Sequence, residues 1–192
     1  MVEKNCQDLL LISLNDFYNK NPEYKFILKK IINGNHKLSL RLIDWLVTHY
    51  SRINNIYYWI HNNSEIFYHL PINNNIFKKI NLYLDYRAQL KSYAKLYFDT
   101  FRRHQRISFF IKDNDFIETT IGQLNFFRWI LNNNIITYAL DNYDLFIGSL
   151  KESNLELLEG KYVEGATMIY VCENKVCQLP TSDIMEAIKL IK

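Results

Sequence analysis

Apolar positions recur at helical spacing over much of the first 150 residues. Gln7 to Tyr18 reads as an apolar helix. Asn21-Pro22-Glu23 predicts the start of a second: Asn caps, Pro suits the first helical position, and Glu favours the positive helix end. Tyr24, Ile27, Leu28 and Ile31 continue it, and Asn33-Gly34 stops it. Ser39 opens a third helix. Leu42, Ile43, Leu46, Val47 and Tyr50 line one face of it, opposite Arg41, Asp44, Thr48 and Arg52.

Ile56 to Ile60 has the composition of a short strand. Asn62-Asn63 and Asn73-Asn74-Asn75 punctuate the chain as loops. Ile80, Leu82, Leu84 and Tyr86 alternate, and helical spacing takes over through Leu90, Tyr93 and Tyr97, which puts the change of period near Asp85. Ile107 to Ile111 reads as a strand. Thr120-Ile121-Gly122-Gln123 has the form of a capping box ahead of a helix to Leu131. Asn132-Asn133-Asn134 breaks that helix, and another is expected from Ile135 to about Leu150. Met168 to Leu179 reads as a hairpin with Glu173-Asn174 at its tip, and a final helix is expected from Ser182-Asp183.

Composition narrows the class. Of 192 residues, 48% are apolar and 22% charged, which excludes a disordered or collagen-like chain. The first ten residues lack a basic segment ahead of a clean apolar run, so no secretory leader is expected. No apolar run nears the roughly 20 residues needed to cross a bilayer. Three cysteines, Cys6, Cys172 and Cys177, favour a reducing compartment over a disulfide scaffold. Asn62-Asn63-Ser64 matches a glycosylation acceptor, which means little without a secretory route. The 24 isoleucines and 22 asparagines, with only 5 glycines and 3 prolines, follow A/T-rich codons and point to an A/T-rich parasite, bacterium or virus.

Net charge is only +3, so a polyanion ligand requires local clustering. Residues 87 to 106 supply it. Arg87, Lys91, Lys95, Arg102, Arg103 and Arg106 stand against Asp99 alone. The first three are spaced i, i+4, i+8, so they are expected to stack as one row on a helix. Such a row neutralises phosphates and releases condensed counterions. Phe101, Phe109 and Phe110 offer stacking surfaces for single strands. The competing reading is a solvated helix face followed by a basic turn.

Other chemistry finds less support. The helix, Asn triplet and helix between Thr120 and Leu150 have the size of a helix-turn-helix. Ile135 to Leu150, however, carries Asp141 and Asp144 and no Lys or Arg, which favours a packed helical hairpin. Cys172 and Cys177 have zinc-pair spacing but lack a second pair; free thiols, a disulfide and half a zinc site stay open. Asp113, Asp115 and Glu118 lack the glycine of a calcium loop. No G-x-S-x-G, H-E-x-x-H, Walker loop or G-x-G-x-x-G occurs. No cofactor, metal site or catalytic residue is therefore assigned.

Two stretches carry resemblances. Ser39-Leu40-Arg41-Leu42-Ile43-Asp44-Trp45-Leu46-Val47-Thr48, Tyr86-Arg87-Ala88-Gln89-Leu90-Lys91-Ser92-Tyr93 and Thr119 to Trp129 resemble uncharacterised proteins of nucleocytoplasmic large DNA viruses, over roughly residues 36 to 140. That resemblance implies infected-cell cytoplasm, a viral factory or a virion as location, and brings no enzymatic motif. Leu157-Leu158-Glu159-Gly160-Lys161, Ala166-Thr167, Tyr170 to Pro180 and Asp183 are similar to the C-terminal end of YyaL-type proteins, which join a thioredoxin-like domain to a helical toroid. The segment that matches lies outside their thioredoxin-like motif, so it implies a hairpin packing on helices and no redox or glycosidase activity.

The sequence thus predicts an α+β chain: a mainly helical domain with short strands over residues 1–155, and a C-terminal hairpin-helix appendage over 156–192. The expected function is non-enzymatic binding of nucleic acid, or another polyanion, through the six basic residues. The alternative is a structural or assembly protein meeting viral protein partners through an aromatic-rich surface. An enzyme with an unmarked site is a distant third. No membrane association is expected.

Overall fold

Thr120 begins the helix around which the first part of the chain is arranged. Its Oγ1 accepts a hydrogen bond from the Gln123 amide at 3.1 Å, so the Thr cap forms, but the capping box does not close: the Gln123 side chain instead accepts from the Thr119 hydroxyl at 2.8 Å and donates to the Thr100 carbonyl at 3.1 Å. The computed structural model describes residues 2–61, 65–70, 77–158, 172–173 and 176–177. Two compact units divide it, Met1–Tyr143 and Asp144–Lys192.

In chain order the first unit contains α1 (Val2–Lys20), α2 (Pro22–Ile32), α3 (Leu40–Trp45), a π-helical turn (Leu46–Tyr50) and α4 (Ser51–Asn54). Strands β1 (Tyr57–His61), β2 (Glu65–Phe67) and β3 (Lys78–Asn81) follow, then α5 (Leu82–Tyr93) and a 3-10 turn (Lys95–Tyr97). Strands β4 (Ile107–Lys112) and β5 (Asp115–Thr119) lead into α6 (Ile121–Asn132) and α7 (Ile135–Asp141). Helix α8 (Tyr143–Leu158) begins at the boundary. The second unit also holds β6 (Cys172–Glu173) and β7 (Val176–Cys177). The described structure is mainly helical with short antiparallel strands, an α+β fold.

Helix α6 is the core. Ile121, Leu124, Phe126, Phe127, Trp129, Ile130 and Leu131 are all buried, and only Gln123, Arg128 and Asn132 reach the surface. Helix α1 packs on it, and the Tyr18 hydroxyl donates to the Leu124 carbonyl at 2.9 Å. Tyr86 and Phe98 join Phe126 and Trp129 in an aromatic cluster. Helix α7 also packs on α6, as the helical-hairpin reading expects.

Strand β1 pairs antiparallel with β2 and β3, in the order β2-β1-β3. Strands β4 and β5 form a separate hairpin, with Phe109 opposite Ile117 and Phe110 opposite Phe116. Asn114 supplies the left-handed residue of its turn, at φ 62°. The Lys29 ammonium bonds both oxygens of Asp115, at 2.6 and 2.8 Å, and ties α2 to this hairpin.

Several local expectations are corrected. Pro22 starts α2, but Asn21 gives its helix no side-chain cap; its amide donates backwards to the Phe17 carbonyl at 2.8 Å. The change from strand to helix falls at Asn81, not Asp85. Asn81 caps the Leu84 amide, and Asp85 accepts from the Asn81 amide. The helix expected over Ile135–Leu150 divides at Asn142. Strands β2 and β5 were not anticipated. In the second unit Cys172 and Cys177 are register partners and Glu173 pairs with Val176, so Glu173 lies in a strand. The expected helix from Ser182 lies outside the described residues.

Candidate nucleic-acid surface

The six basic residues singled out by sequence are all exposed, and among the described residues none forms an ion pair. They do not form one helical row. Helix α5 ends at Tyr93, and Ala94 takes φ 56° and ψ 162°, which reverses the chain. Arg87 and Lys91 remain on α5 one turn apart, while Lys95 enters the 3-10 turn. Arg87 donates to the Tyr83 hydroxyl at 3.2 Å. That hydrogen bond, with Arg52 also close, lowers the Tyr83 phenol from its ordinary value.

The reversal has a structural cause further along the chain. Segment 95–99 folds back against the start of α6, where a Cβ on Gly122 would stand 3.2 Å from the Leu96 carbonyl oxygen. The Asn125 amide donates to the Tyr97 carbonyl at 2.9 Å and fixes the segment there. Arg102 and Arg103 follow in an exposed turn, lining a shallow depression with Asp99 and Phe101. Arg41 reaches the Phe101 ring from α3, at 5.7 Å from its centre. His104 turns towards Tyr97, and its Nδ1 is buried without a hydrogen-bond partner among the described residues.

Behind this turn lies an acidic pair. The Thr100 hydroxyl donates to Asp44 at 3.4 Å. Burial, and then the nearby Asp99 carboxylate, push Asp44 up to about 6, against the pull of Thr100 and Arg41.

The expected stacking residues separate into two classes. Phe109 is 4% exposed and packs edge-on against Tyr18, so it belongs to the core. Phe101 and Phe110 lie at the surface. Residues missed in the sequence are Phe116, which lies beside Phe110 at 5.8 Å between ring centres, and Lys112, which extends over Phe26. The signal for both was present in the alternation of Ser108, Phe110 and Lys112 and in the Asp113-Asn114 turn, once 115–119 is read as a returning strand.

A larger open cleft of about 970 Å³ lies elsewhere in the first unit, lined by Asp16, Lys20, Lys78, Asn125, Arg128 and Asn133 among others. Arg128 donates there to Ser13, Tyr93 and Asn125, at 3.0, 3.1 and 2.6 Å. These bonds join α1, α5 and α6, a structural role. Among the described residues no group of His, Cys, Asp and Glu is arranged to hold a metal, and no helix is long and apolar enough to cross a membrane.

Residues 2–159 match the model of a family of unknown function, DUF7197. The chain belongs to this family. The chain is also 32% identical, over 150 residues, to an uncharacterized protein of Acanthamoeba polyphaga mimivirus; the match covers 76% of this chain and 54% of that relative. The chain therefore spans about half the length of the curated relative it matches. The expected likeness to uncharacterised proteins of large DNA viruses is met by this relative. No solved structure matches the chain. The expected likeness of residues 157–184 to YyaL-type proteins is not shown by these matches, and that segment falls almost wholly outside the described residues.

Proposed function

We propose that this protein binds nucleic acid, or a polyanion of similar charge density, without catalysing a reaction. One observation carries the reading: Arg87, Lys91, Lys95, Arg102, Arg103 and Arg106 are exposed, and none is matched to a carboxylate among the described residues. A cation already paired must give up its partner before it meets a phosphate; these six need not. Their spread over helix, turn and strand start suits backbone contacts, which position a protein without reading sequence. The viral relative supports an infected-cell cytoplasm, viral factory or virion as the place of action. The YyaL-like tail enters this reading only as a packing hairpin.

Fluorescence anisotropy with labelled duplex and single-stranded oligonucleotides, between about 50 and 200 mM salt, tests the proposal. Affinity should fall steeply with salt. Arg102→Gln with Arg103→Gln should reduce the log–log salt slope by about 1 for each of the two arginines that meets a phosphate. Absence of binding at low salt, or binding indifferent to salt, overturns the proposal. Stable co-purification with a virion component free of nucleic acid selects the assembly reading instead.

A further inference from the structure

The β4–β5 hairpin buries one face and leaves aromatic rings on the other. Ile107, Phe109, Ile111, Ile117 and Thr119 point inward or are half-buried, while Ser108, Phe110, Lys112, Phe116 and Glu118 are exposed. Phe110 is 58% and Phe116 50% exposed, and they are direct cross-strand partners. A solvated hairpin face ordinarily carries polar residues at such positions, so two adjacent exposed phenylalanines make this face a candidate contact surface. Phe26, also exposed, continues the aromatic surface beneath Lys112, whose ammonium lies 5.0 Å from its ring centre.

Two depressions, of about 400 and 320 Å³, both have Phe110 and Lys25 in their walls. One is completed by Lys112 and Asp113, the other by Asn15, Asn19 and Ser108. The charge around them is biased. Among the described residues Lys112 pairs with no carboxylate, half-buried Lys25 bonds the neutral Asn19 at 2.8 Å with its ammonium 5.7 Å from the Phe109 ring centre, and exposed Arg106 immediately precedes β4. Among the nearby acids Asp115 is paired with Lys29 at 2.6 Å; Glu118, which accepts from the neutral Ser108 hydroxyl at 2.6 Å, and Asp113 at the turn keep their charge, so the three cations exceed the unpaired acids by one.

We infer that this face is a stacking platform for single-stranded nucleic acid, with bases on Phe110 and Phe116 and phosphates met by Lys25, Arg106 and Lys112. A duplex hides the faces of its bases, whereas a single strand offers them to any aromatic ring. The exposed phenylalanine pair thus favours the single strand over the duplex. The inference rests on the polyanion reading and narrows it to one form of nucleic acid.

The test uses the full chain with a labelled oligo(dT) of about 12 nucleotides, within the range one aromatic-basic surface covers, and a duplex of equal length. The single strand should bind more tightly. Phe110→Ala and Phe116→Ala should each weaken it roughly tenfold and leave duplex binding unchanged, with circular dichroism confirming the fold. Phe110→Trp should keep affinity, and its added emission should be quenched by oligo(dT). If both alanine variants bind oligo(dT) like the parent and the tryptophan is not quenched, the platform is overturned while salt-dependent binding upholds the broader reading. No binding of either probe at low salt overturns both. If the alanine variants lose self-association in ultracentrifugation but keep oligo(dT) binding, the face is a contact between copies and the inference falls.

Discussion

The side chain of Asn125 joins the Tyr97 carbonyl, at 2.9 Å, to the Arg128 guanidinium, at 2.6 Å. This buried amide is bonded at both ends and holds the folded-back segment 95–99 against α6. Asn125→Leu keeps much of the volume but strands the Tyr97 carbonyl and removes an acceptor from Arg128. The expected destabilisation is about 2 kcal/mol, the cost of an unsatisfied buried polar group. Urea unfolding should show a lower midpoint at an unchanged slope. An unchanged midpoint refutes the bridge.

Asp44 imposes a pH dependence of unusual sign. Its carboxyl is held up to about 6 in the folded chain, chiefly by burial and then by Asp99, against an ordinary value of 3.8. Between those two values the folded state holds the proton more strongly than the unfolded state does. This group's contribution therefore falls as pH rises from about 4 to 6, and it stays unfavourable above that range. Asp44→Asn should remove the effect, raising stability at pH 7 by on the order of 1 to 2 kcal/mol once solvent screening at this partly buried site is included. Melting curves at pH 4.5 and 7 check this: the variant's advantage must grow with pH.

Ala94 stores backbone strain. Its φ of 56° with ψ of 162° is a combination that glycine adopts freely and residues with a Cβ do not. The side chain is exposed, so truncating it sacrifices little packing. Ala94→Gly should stabilise the protein by about 1 kcal/mol, the relieved strain exceeding the added freedom of the unfolded chain. A fall in the unfolding midpoint would show that the reversal is not strained.

Much of the helical framework was legible because caps and periodicity are local signals. Ser39 and Thr120 bond the amides three residues on, as their sequence contexts indicate. Strand β5 was not legible in the same way. Asp113, Asp115 and Glu118 resemble a solvated acidic loop until Asp115 is seen with Lys29, 86 residues away in the chain, and Phe116 with Phe110. Strand β2, three residues long, is too short for alternation to stand out.

The sequence alone determined the order of most helices, the apolar character of α6 and the local excess of positive charge, because each depends on residues within a few turns of one another. Only the tertiary structure decided how that charge is displayed. The row from Arg87 to Lys95 ends where Gly122 admits the folded-back backbone and Asn125 fixes it. Likewise, Phe109 is drawn inward against Tyr18 while Phe110, one residue on, is left outside. Strand geometry sends neighbouring side chains to opposite faces, but only packing against a distant helix determines which face is buried.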